Sequence, residues 1–189
     1  MAHTPPSNAA VDASTRPQGL AVIHGGDRRW KTLTETANQT YAQGEIPLAR
    51  TAYLDALEEA EQLFAVALIQ SCRFPAPVIY NVSCHNLAEL AERVGDSREA
   101  EAFYRKAYDR LIEAARSPAT PLSMRIACVQ HLKQSLAALA QHLRSHECEE
   151  DVVDTAIRKA YDVAFDVFRV ARHAEQADND CPHCPIVSS

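Results

Sequence analysis

The sequence predicts an all-α fold of about three helix pairs with long helices. Apolar residues recur at i, i+3, i+4 and i+7 over most of the chain, the spacing of one buried helical stripe. Only five glycines occur in 189 residues, too few for the frequent tight turns of a β-sandwich. The glycines and prolines within the body of the chain fall where amphipathic stretches end, as helix boundaries require.

Residues 1–29 hold Pro5, Pro6, Pro17, Gly19, Gly25 and Gly26 among small polar residues and read as a mobile arm. Trp30, the only tryptophan, marks the start of a helical domain expected over 30–177. A first helix is expected from Thr32, with Glu35 at capping-box spacing, to Gln43. Gly44 ends it, and Pro47 suits the first turn of the next, where a missing N–H costs nothing. That second helix places Ala49, Tyr53, Ala56, Leu57, Leu63 and Phe64 on one face and extends to Cys72. Pro75 and Pro77 stop it and open the third.

The second pair meets at Gly95, which can adopt the left-handed conformation that closes a helix. Asp96 then caps the following helix, with Glu99 in capping-box position. Ser117, Pro118 and Pro121 break the chain again. In the third pair, Met124, Cys128, Leu132, Leu136, Leu139 and Leu143 form one stripe. After a polar turn at 145–150, the last helix is expected to bury Val153, Ala156, Ile157, Ala160, Tyr161, Ala164, Phe165 and Phe168. The tail, 178–189, contains two prolines and cannot continue that helix.

The first two pairs are copies. Ala37, Gly44, Ala49, Tyr53 and Ala56 have the same mutual offsets as Ala88, Gly95, Ala100, Tyr104 and Ala107, displaced by 51 residues. A third displacement puts His146 at the turn, without the glycine or the aromatic. These small and aromatic positions are those of the tetratricopeptide (TPR) signature. The chain resembles that family well over 31–116 and weakly over 120–177, with a period longer than the usual ~34 residues. The resemblance implies a short superhelix in which the first helix of each pair lines a concave groove. It also implies an interaction module with a protein or peptide partner.

On that resemblance the groove would present Thr34, Asn38 and Tyr41 from the first pair. His85, Asn86, Glu89 and Arg93 would come from the second, and Lys133 from the third. Asparagine and lysine suit a peptide backbone and a carboxylate. Asn38, Asn86 and Lys133 coincide with three positions of the family's carboxylate clamp, while Thr34 and Ala137 stand where a lysine and an arginine would complete it.

Cys181-Pro182-His183-Cys184 supports a second reading. Two thiolates at this spacing can chelate zinc or another soft metal, or cycle between dithiol and disulfide. His183 is a third donor. Further ligands could come from His142, His146 and Cys148, from which the last helix carries the tail away, or more closely from His173 near the helix end or another subunit; Cys128 and His131, at i, i+3, form a second possible pair. Cys72, Cys84 and Cys128 otherwise read as small core residues.

The net charge of −6 is spread as mixed signs, without the basic face of a nucleic-acid binder. No apolar run approaches the ~20 residues of a membrane span, and the N-terminus has no signal-peptide pattern, so a cytoplasmic location is expected. No GxSxG, phosphate loop or HExxH appears, so no enzyme is expected. A three-pair stack exposes apolar ends, so self-association is expected as well.

Overall fold

The computed structural model describes residues 26–146 and 148–179. Among the described residues there are six helices: α1 (Arg28–Ala42), α2 (Ile46–Ile69), α3 (Ala76–Arg93), α4 (Ser97–Arg116), α5 (Leu122–Ser145) and α6 (Glu150–Asn179). They pack in sequential antiparallel pairs, with no strand among the described residues. The arm before residue 26 and the tail after 179 lie outside the described residues.

Alternate helices also touch, which sorts the six into two layers. In one layer Trp30 Nε1 of α1 donates to Ser83 Oγ of α3 at 2.7 Å, and Glu92 of α3 meets His142 of α5 at 3.0 Å. In the other, Arg50 of α2 pairs with Glu99 of α4. Lys159 of α6 reaches Asp109 of α4 at 3.1 Å, and Tyr108 of α4 donates to the Ala156 carbonyl of α6 at 2.7 Å. Alanines at Ala37, Ala49, Ala88 and Ala100 are fully buried where paired helices approach. Phe64, Ile79, Leu87, Leu111, Leu139 and Leu143 fill the spaces between pairs.

The first two turns share the bonds that close the preceding helix. Gly44 and Gly95 both take positive φ, 81° and 80°. Gly44 N–H donates to Tyr41 O at 3.0 Å and Glu45 N–H to Thr40 O at 3.1 Å. Gly95 donates to Glu92 O at 3.0 Å and Asp96 to Ala91 O at 2.9 Å. These bonds satisfy carbonyls the helix end would orphan. At the third turn His146 N–H still bonds to Leu143 O, at 3.3 Å, but φ is −109°. Helix α6 therefore starts 53 positions after α4 (Ser97 to Glu150), where α4 starts 51 after α2 (Ile46 to Ser97).

Four boundary and face expectations are corrected. Helix α1 begins a turn before Thr32, whose hydroxyl bonds the Arg28 carbonyl inside the helix at 3.2 Å and caps nothing. The anchoring of Trp30 on Ser83 holds this extra turn. Helix α2 stops at Ile69, short of Cys72, because Gln70 is already extended (φ −149°, ψ 155°) to reverse the chain into α3. Asp96 Oδ1 accepts from Glu99 N–H at 3.0 Å, yet the Glu99 carboxylate goes to Arg50 and not back to the cap.

The fourth correction concerns α6. Its buried stripe is Val153, Ala160, Val163 and Val167. Tyr161, Phe165 and Phe168 face solvent at 72%, 69% and 51% exposure. The helix is apolar over a wider arc than one neighbour can cover, and α5 with α4 covers the valine side.

Candidate functional site

A cavity of about 570 Å3 opens between α3, α4 and α5. Its chemistry comes from His85, Glu89 and Glu92 on α3, Tyr104 on α4, and His142 and His146 at the end of α5. Successive rings form a chain across it. His85 and Tyr104 meet edge-on with centroids 5.5 Å apart, Tyr104 and His142 lie 5.3 Å apart, and His142 and His146 are 4.3 Å apart. His142 is buried although it is the polar member of an otherwise apolar stripe.

The hydrogen bonds set the tautomers. A carboxylate oxygen only accepts, so the 3.0 Å contact to Glu92 Oε1 puts a hydrogen of His142 on Nδ1. His146 Nδ1 lies 2.9 Å from the His142 carbonyl, another pure acceptor, so it too carries its hydrogen on Nδ1. His85 Nε2 is buried with no hydrogen-bond partner. Burial lowers the His85 pKa from its ordinary 6.5, which favours the neutral ring. Burial, then the nearby Glu92 and Glu89 carboxylates, pushes the Tyr104 phenol up to about 12.

No lysine or arginine lines this cavity. Its recognition groups are two carboxylates, a protonated phenol and imidazole nitrogens. That set accepts hydrogen bonds from, and attracts, an ammonium or guanidinium group.

The residues expected from sequence separate into three places. His85 and Glu89 share the cavity. Asn38 and Tyr41 are grouped at the α1–α2 end, where Asn38 Oδ1 accepts from Tyr53 OH at 2.7 Å and Arg93 stacks 4.5 Å above the Tyr41 ring. Thr34 Oγ1 is buried without a partner, and Asn86 is half-buried. Lys133 lines a different groove, between α5 and α6. Glu92, Tyr104, His142 and His146 complete the cavity and were not among the expected groove residues. In the sequence, the i, i+4 spacing marks His142 and His146 and the repeat marks Tyr104, while Glu92 carries no signal.

Cys181, His183 and Cys184 lie outside the described residues. Among the described residues no group of three or more His, Cys, Asp or Glu side chains is set to hold a metal ion. His142 and His146 stack on one another and engage Glu92 and the backbone, and do not converge on Cys148. Cys84 and Cys128 are buried, and burial pushes both thiols up to about 12. Such thiols are poor nucleophiles. No helix among the described residues is long and apolar enough to cross a membrane.

Residues 28–175 match the family described as protein of unknown function, DUF2753. The chain belongs to that family. The DUF2753 match begins at the first residue of α1 and ends within the last turns of α6, so it takes in all three helix pairs and both walls of the cavity. No curated protein and no solved structure matches the chain.

Proposed function

We propose that this chain is a TPR-like interaction module that holds a segment of a protein partner along the α1–α3–α5 layer. The α3–α5 cavity would receive a basic side chain or an amino terminus of that segment. One observation carries the reading: a cavity of about 570 Å3 walled by Glu89, Glu92, Tyr104 and three histidines, with no lysine or arginine. The repeat supports it. Two pairs share their turn geometry and their buried alanine and tyrosine positions, the arrangement by which TPR helices present a groove. Two carboxylates without a lysine or arginine beside them argue against the carboxylate clamp and for the opposite ligand charge.

Fluorescence anisotropy with labelled lysine- or arginine-containing peptides, in parallel with their Gln-substituted counterparts, tests this. Basic peptides should bind and weaken with added salt. The double variant Glu89→Gln/Glu92→Gln should lose at least about tenfold in affinity, since charge-assisted contacts carry the larger share of such recognition. Glu89 and Glu92 are exposed, so the variant should keep its helical circular dichroism. Unchanged affinity in a folded double variant would remove the cavity as the binding surface.

A further inference from the structure

The α5–α6 face carries a second feature, independent of the cavity. A groove of about 450 Å3 runs between these helices, walled by Leu132, Leu136, Ala140, Ile157, Ala160 and Ala164. Beside it Tyr161, Phe165 and Phe168 stand as a ridge at helical spacing. They are the only exposed aromatic side chains among the large exposed apolar residues of the described chain.

The internal repeat explains why this face is apolar. With the 53-position displacement between α4 and α6, Tyr161, Phe165 and Phe168 correspond to Tyr108, Ile112 and Ala115. All three α4 residues are buried. Tyr108 is covered by the following pair, to which its hydroxyl donates. The α6 ridge is thus built like a surface that receives another helix pair, and none packs there among the described residues.

We propose that a second copy of this chain docks on this face about a two-fold axis, each copy seating its aromatic ridge in the other's alanine-lined groove. A two-fold contact demands one patch that is complementary to itself, and this patch holds both a ridge and a trough. The charges agree. Lys133 flanks the groove on α5 and Asp162 flanks the ridge on α6, both exposed and without an ion-pair partner among the described residues. A ridge laid into the opposite groove brings these opposite charges to the same rim. The ridge supplies most of the area: at ~200 Å2 per aromatic side chain, the three exposed fractions offer roughly 400 Å2 per copy. Two copies then hide about 800 Å2 before the groove walls count, approaching the ~1,200 Å2 of a specific contact. The α1–α2 end exposes Leu48 and Leu54 but no aromatic ridge, which disfavours head-to-tail stacking into a filament.

Sedimentation velocity of the full chain over a concentration series tests the proposal, with Phe165→Asp and, as a control on α2, Leu54→Asp. The expected result is a monomer–dimer equilibrium that Phe165→Asp weakens by at least about tenfold, the effect of losing a buried aromatic anchor, and that Leu54→Asp leaves unchanged. Phe165 is exposed in the single chain, so circular dichroism should show the variant folded. A monomer at every concentration would overturn the proposal. Amide-exchange protection of residues 161–168 in that monomer would show that the chain's own residues cover the face. Species that grow beyond the dimer, or a dimer indifferent to Phe165→Asp, would overturn it equally.

Discussion

His85 holds a ring nitrogen inside the protein without a hydrogen-bond partner, and its pKa lies below the ordinary 6.5 because of burial. In the unfolded chain the same imidazole would titrate near 6.5. Between the two values the unfolded state binds more protons, so stability should rise with pH across that window and fall as the solution is acidified through it. The third pair has already replaced this position: Leu136 stands 51 residues after His85. His85→Leu should therefore flatten the dependence of melting temperature on pH below 6.5, and thermal melts across that range measure it. A variant whose melting temperature falls with acid as steeply as the parent's would show that other groups carry the titration. Tyr104, edge-on to His85, should remain a protonated donor throughout, since its pKa is displaced upward to about 12.

At the scale of elements, the turns hold the pairs in register. An added Cβ at Gly44 or Gly95 would meet nothing within 4 Å, so any cost there is conformational. Each φ lies in the left-handed region, and alanine should cost about 1 kcal/mol at either site. Urea unfolding of Gly44→Ala and Gly95→Ala measures this, and a loss near zero would mean the turns relax freely.

These turns are legible in the sequence because a glycine, a cap and a proline act within a few residues of themselves. Six helices and their order follow from the same local signals. The cavity is not legible, because it depends on stacking. Glu92 and His142 are 50 positions apart and meet only when α5 lies on α3. Helix α6 shows a different limit. Valines at 163 and 167 and aromatics at 161, 165 and 168 form adjacent apolar stripes, and periodicity alone does not say which one turns inward. The choice is made by what α4 and α5 leave room for.

Across the whole molecule, two surfaces differ in chemistry. The α3–α5 cavity is polar and acidic, while the α5–α6 face is apolar and aromatic. A partner segment in the first and a second copy on the second would not compete for the same residues, apart from sharing α5 as a common wall.

The matching turns at Gly44 and Gly95 also make residues 45–95 a cassette whose two ends are the same joint. Excising those 51 residues brings Gly44 directly before Asp96, so the glycine bend and the Asp96 cap survive, and α1 meets α4 with Ala37 opposite Ala100 as it now meets Ala49. The shortened chain should fold cooperatively into four helices with a lower melting temperature, as circular dichroism would record. An equal excision taken from mid-helix, residues 60–110, should not fold cooperatively. A chain joined in this way changes length in whole units, so its size is set by counting joints and its specificity by which side chains each unit brings to the shared wall.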